Sequence, residues 1–242
     1  MTTLPFSASE VERLARDAEA WSPEERLSWA AERFPGRTVL TCSWQRQSSV
    51  VIDMLSRLDL DVRIVELDTG LLFPETYATR DRLIERYGIE IHRVDPAQTV
   101  DEQAASEGPE LWKRDPDRCC YLRKVLPLQR ALEGVDAWIT GIRRAQSAGR
   151  AGAKPLELDP SRGVVKVQPL VDWTDEDVQG YLYAHDVPYN PLHDQGYPSI
   201  GCVPCTRAVA PGEDPRAGRW AGTDKNECGL HLPLPAGDSS AG

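Results

Sequence analysis

The sequence predicts an α/β protein built on a parallel sheet with helices on both faces. Three observations lead there. Short apolar runs recur at Thr38–Cys42 (TVLTC), Val62–Leu67 (VRIVEL), Ile89–Val94 (IEIHRV) and Ala137–Thr140 (AWIT). Helical stretches lie between them, at Ser49–Arg57, Glu75–Tyr87 and Tyr121–Leu132. Gly88 and Gly134 stand where helix C-terminal glycines belong. Buried-strand runs alternating with helices are the signature of a parallel sheet. Ligands of such sheets bind outside the carboxyl ends of the strands, so the loops after these runs are where function is sought.

Ahead of the sheet, residues 1–36 read as a helical cap. Ser7 with Glu10, and Ser22-Pro23 with Glu25, are capping-box starts, and Pro35-Gly36 ends the second helix. The loop after the first strand is Ser43-Trp-Gln-Arg-Gln-Ser-Ser49; it is polar and enters a helix, so backbone N–H groups there suit an anion. The loop after the second strand, Asp68-Thr69-Gly70, offers a carboxylate, a hydroxyl and a glycine. After the fourth comes Gly141-Ile-Arg143-Arg144, with two guanidinium groups suited to an oxyanion. Residues 145–163, rich in Gly, Ala and charge, read as a mobile loop. Val164–Val167 is a further strand, and Thr174 caps a helix reaching about Ala184. From Pro188 the chain turns irregular, and residues 233–242 read as disordered. With no repeats and no second core visible, the chain is expected to be one domain over 1–242. Within it, 1–36 form the cap and 206–242 a mobile catalytic tail.

Composition narrows the class. Over 242 residues the formal net charge is −10, which argues against nucleic acid as a partner. No apolar run approaches a membrane span and no secretory signal is visible, so the expected compartment is the cytoplasm. Six cysteines in such a chain favour ligand or catalytic roles over disulfides.

Four of the six form two distant pairs, Cys119-Cys120 and Cys202-x-x-Cys205. Two such pairs that meet in space fit a thiolate-bound metal, either zinc or a 4Fe–4S cluster. Adjacent cysteines strain a single tetrahedral ion. A cubane presents irons at separate corners, so the pattern favours the cluster. Lys124, four residues past Cys120, reads as a cation beside the cluster or an anionic substrate, with a solvated surface lysine as the plain alternative. Arg216 and Arg219 are a second basic pair. Cys228 falls outside both cysteine pairs, and neighbouring cations or His231 would favour its thiolate. Cys42 ends a buried strand and reads as a small apolar residue.

Taken together, LDTG with PETY, CCYLRKVLPL, TGIRRAQS, PLVDWT, YPSIGCVPCT, RAGRW and ECGLH, in this order, resemble the assimilatory adenylylsulfate reductases within the adenylylsulfate and phosphoadenylylsulfate reductase family. The resemblance runs from about Thr38 to Leu232. It implies an adenine-nucleotide α-hydrolase-like sheet and reduction of adenylylsulfate to sulfite and AMP in sulfate assimilation. It implies that Cys228 attacks the sulfur to give an S-sulfocysteine, which thioredoxin or a similar dithiol then resolves. It implies a 4Fe–4S cluster on Cys119, Cys120, Cys202 and Cys205. Substrate binding falls to Lys124, Arg143, Arg144, Arg216, Arg219, His231, Ser43, Asp68, Thr69, Gly70 and Gly141. Both cysteine pairs point to adenylylsulfate; the same chemistry on 3′-phosphoadenylylsulfate is the alternative, and a homo-oligomer is compatible with the sequence. One departure stands out: many relatives carry a Ser-x-Gly-Ala-Glu-Asp type loop after the first strand, and this chain has no glycine there.

Overall fold

The apolar runs do become strands. The computed structural model describes residues 6–225 and 227–232. In it β1 (Thr38–Cys42), β2 (Arg63–Leu67), β3 (Ile91–Val94), β4 (Ala137–Ile139), β5 (Leu156–Asp159) and β6 (Val164–Val167) form one sheet in the order β3-β2-β1-β4-β6-β5. All neighbours are parallel except the β5–β6 hairpin. Strand order runs one way from β1 through β2 to β3 and the other way through β4 to β6. The switch point, where such sheets open a crevice, is therefore the gap between the ends of β1 and β4.

Side-chain alternation along the strands builds a core on each face. Leu40, Ile64, Ile139 and Val167 point to one face, where they meet α3 (Arg46–Arg57), α4 (Pro74–Tyr87), α9 (Asp175–Ala184) and the N-terminal helices α1 (Ala8–Asp17) and α2 (Pro23–Arg33). Val39, Val65, Trp138 and Val164 point to the other, against Leu128 and Ala131 of α8 (Leu126–Ala131). The N-terminal cap is tied down by Arg26, fully buried, which donates to the carbonyls of Ala18 and Pro169 and pairs with Asp172 at 2.7 Å. Capping boxes start α1, α2 and α9 as their sequences predict, each worth about 1 kcal/mol.

The structure corrects the linear reading in three places. The Gly/Ala-rich stretch 145–163 is not loop throughout: Leu156–Asp159 is the antiparallel edge strand β5. A helix α5 (Val100–Glu107), capped by Thr99 and Glu102, follows β3. The long helix expected over Tyr121–Leu132 is two pieces, a single π-turn (Tyr121–Val125) and α8, and it runs on directly from α7 (Pro116–Cys120). Between α5 and α7 lies a single short turn, α6 (Leu111–Arg114). Pro127, which has no N–H to give the helix ladder, sits just past the π-turn. The expectation for 233–242 lies outside the described residues. Among the described residues no helix is long and apolar enough to cross a membrane.

Candidate active site

At the switch point lies a cavity of about 190 Å³. Ser43 and Gln45 from the end of β1, and Thr140 and Gly141 from the end of β4, line its floor. Gly141 is required there by close approach: a Cβ on it would stand 2.9 Å from Cβ of Gln47. Trp44 takes the left-handed conformation, at φ 56°, which costs a non-glycine residue about 1–3 kcal/mol. Burial of its indole, whose N–H donates to Glu66 at 2.7 Å, offsets that cost. The loop is then braced from outside: Gln45 accepts from the Ile200 N–H at 2.9 Å, and the Arg46 N–H donates to Nε2 of His193. Burial, helped by Arg46, pulls His193 down to about 4, so the ring is neutral and free to accept.

Cations form the walls. Arg219 has its guanidinium over the Trp220 ring at 4.4 Å and donates to Ser199 Oγ and the Ile200 carbonyl. Gly201 makes this pose possible, because a Cβ there would stand 2.2 Å from Nη2 of Arg219. Arg216 pairs with Glu227 at 3.0 Å, and Arg150 grips the same carboxylate with two N–H groups, each at 3.0 Å. Arg143 lies 1% exposed, donates to the Trp173 carbonyl and pairs with Asp175 at the start of α9. Cys228 lines the cavity beside these groups, and so does His231, whose ring stacks on Trp138 at 5.2 Å. Burial, reinforced by Arg150, Lys166, Arg162 and Arg216, holds His231 well below its ordinary value, so it is a neutral imidazole.

Lys124 is the shared wall: it lines this cavity and a smaller one behind it. Burial alone would lower its pKa, but the negative charge that Cys202, Cys228 and Cys120 carry as thiolates outweighs that and raises it, so it is a cation. The smaller cavity is lined by Cys119, Cys120, Cys202 and Cys205, all free of disulfides. Cys202 is carried there by the loop after β2: it bridges Leu72, and its sulfur lies 3.3 Å from Thr69 Oγ1. Burial pushes Cys120 up to about 11 and Cys205 to about 12. Among the described residues no group of three ligand-type side chains is drawn together tightly enough to hold a metal ion as the chains stand. The donor chemistry nevertheless fits a thiolate-ligated group. Soft, crowded sulfurs that burial keeps protonated gain most from a metal that deprotonates them.

Not every residue singled out from the sequence reaches the cavity. Arg144 turns away and binds the Ala153 carbonyl and Glu19. The backbone at Arg143 is extended, so its neighbour's side chain leaves on the opposite side. Asp68 is spent on structure: it accepts from the Gly70 N–H and Tyr77 hydroxyl at 2.8 Å each and pairs with Arg93. Gly70 shapes that turn, packed against Arg123. Of that loop, Thr69 alone lines the main cavity. Conversely, Arg150, Glu227 and Gly201 were not singled out. Glu227 adjoins Cys228 and was legible as an acid at a candidate nucleophile; Arg150 was hidden in the Gly/Ala-rich stretch.

Fold and site together define a doubly wound α/β protein with a cation-walled cavity at its switch point and a four-thiol cavity behind. Residues 37–208 match the model of the phosphoadenosine phosphosulfate reductase domain, and the chain belongs to that family. It is 50% identical over 206 residues to an adenosine 5′-phosphosulfate reductase of Bacillus pumilus, covering 85% of this chain and 88% of the relative. It is 45% identical to one of Salinibacter ruber, covering 94% and 90%. The crystal structure of a phosphoadenylyl-sulfate reductase of Candida auris, a phosphate complex, superposes with a TM-score of 0.76 at 31% identity, covering 86% of this chain and all of that one. An FMN adenylyltransferase of Candida glabrata shares the fold alone, with a TM-score of 0.55 at 14% identity.

Proposed function

We propose that this chain is a cytoplasmic adenylylsulfate reductase, acting as one domain with residues 206–242 as its catalytic tail. It reduces adenylylsulfate to sulfite and AMP. The observation that carries the mechanism is that Cys228 lines the same cavity as Lys124, Arg216 and Arg219. Phosphate and sulfonate oxygens repel a thiolate, and those cations offset the repulsion where charge gathers. The Cys228 thiolate attacks the sulfonate sulfur, forming an S–S bond. The bond from sulfur to the phosphate oxygen breaks, and AMP leaves with its electron pair. A dithiol of the thioredoxin type then attacks Sγ of Cys228. Sulfite departs, and the resulting mixed disulfide is resolved by the second thiol. The dithiol ends oxidised and Cys228 is a thiol again.

Within this reading Arg219, held rigid by Trp220 and the Gly201 backbone, is a preorganised oxyanion ligand. His231 is neutral and therefore a hydrogen-bonding group rather than a charge. Cys119, Cys120, Cys202 and Cys205 would hold a 4Fe–4S cluster, and Lys124, which lines both cavities, would stand between it and the substrate. When bound, such a cluster would tie the Cys202 loop to α7 and supply local charge beside Lys124. The test is mass spectrometry of the protein incubated with adenylylsulfate and no reductant. A sulfonate adduct on Cys228 is expected, and a Cys228→Ser variant that still forms sulfite with thioredoxin would sink the assignment.

A further inference from the structure

The β5–β6 hairpin carries two cations that the chemistry above leaves without a task. Arg162 and Lys166 converge on one carboxylate, Asp159, at 2.7 and 3.1 Å. The side chains are 2%, 8% and 4% exposed, so this cluster is interior rather than a solvated edge. Two buried cations on one carboxylate leave positive charge and N–H donors to be satisfied. Both turn to the segment that bears Cys228. Arg162 Nη1 donates to the Leu232 carbonyl at 3.0 Å, and Lys166 Nζ donates to the His231 carbonyl at 3.4 Å. Both cations also lie over the Trp138 ring, at 5.8 and 5.4 Å, the ring on which His231 stacks.

We infer that Arg162 and Lys166 are positioning residues: a latch on the β5–β6 hairpin that holds the Cys228 segment over the cavity. The segment 227–232 has no helix or strand of its own. Its upstream end is held by Arg150 and Arg216 on Glu227, groups that line the cavity where an anionic substrate would sit. The downstream end needs a hold outside that cavity. The hairpin supplies one through backbone carbonyls, which places the thiol without touching the reacting atoms. Opening the segment strips both cations of these carbonyls, which biases the equilibrium toward the closed arrangement.

The inference rests on Cys228 being the nucleophile, and the experiment separates the two. Full-length, anaerobically purified protein is compared with Arg162→Ala and Lys166→Met. One arm measures how fast Cys228 gains a sulfonate from adenylylsulfate without reductant. The other measures how fast iodoacetamide alkylates Cys228 without substrate. With the latch lost, sulfonation slows and alkylation quickens, each by about tenfold, the size of one charge-assisted hydrogen bond. Adenylylsulfate affinity shifts by less than about threefold, because neither residue lines the cavity. Arg162→Lys recovers part of both rates. Alkylation within about twofold of wild type in both variants overturns the latch. If Arg162→Ala does not fold, Lys166→Met decides alone. A wild type that gains no sulfonate at Cys228 refutes the nucleophile instead, and the alkylation arm still judges the latch.

Discussion

The cysteines live in two contrasting settings. Cys119 and Cys120 sit on α7, and Cys202 precedes and Cys205 ends a short 3₁₀ turn, each fixed by backbone hydrogen bonds and three of the four buried. Cys228 sits half-buried on a stretch held by salt bridges, a ring stack and two carbonyl contacts. The first region is scaffold; the second is held at its ends and is the part that opens at lower cost. In the proposed reaction, the chemistry that must admit a nucleotide and then a dithiol belongs to the second, and a group that must not move belongs to the first.

That contrast can be broken in stages. Cys228→Ser should remove turnover by on the order of 1000-fold or more while leaving colour and iron content intact. Cys202→Ser should do the reverse to the colour, taking away visible absorption and most bound iron in anaerobic preparations. Bound iron unchanged in Cys202→Ser would refute the four-thiol cluster. A smaller effect concerns the brace under the β1 loop. The folded pKa of His193 lies below its unfolded value, so the unfolded chain binds the proton more readily and stability drops as the pH is lowered. The loss runs from about 6.5 down through about 4 and totals roughly 3 kcal/mol. Urea midpoints across that range should fall in the wild type and flatten in His193→Gln.

Smaller again is the arginine comparison. Arg219→Ala should weaken adenylylsulfate binding by about 1–3 kcal/mol. Arg144→Ala, on the far side of its loop, should stay within about threefold of wild type, as surface substitutions usually do. Equal losses in the two would contradict the placement of Arg144 outside the cavity.

Much of this was legible in the chain. The parallel strands announced themselves as apolar runs, because strands covered on both faces need no polar side. Motif order marked Cys228, Lys124, Arg219 and the two cysteine pairs. β5 was missed because an edge strand such as LELD keeps polar residues and sits amid Gly and Ala. α5 was missed because VDEQAASE has little apolar periodicity, although its capping box was there to read.

The sequence by itself determined what is local: capping boxes, strand period, residue chemistry, and that two cysteine pairs exist to be joined. Tertiary structure decided what depends on direction and distance. It sent Arg143 into the cavity and Arg144 out of it, although they are neighbours in the chain. It put Trp44 into a conformation expected of glycine, because a buried indole bonded to Glu66 offsets the strain. It brought Arg162 and Lys166 to a segment some 65 to 70 residues downstream. Side-chain identity is written in the chain, but which way a side chain points, and what it meets, is set only when distant backbone closes around it.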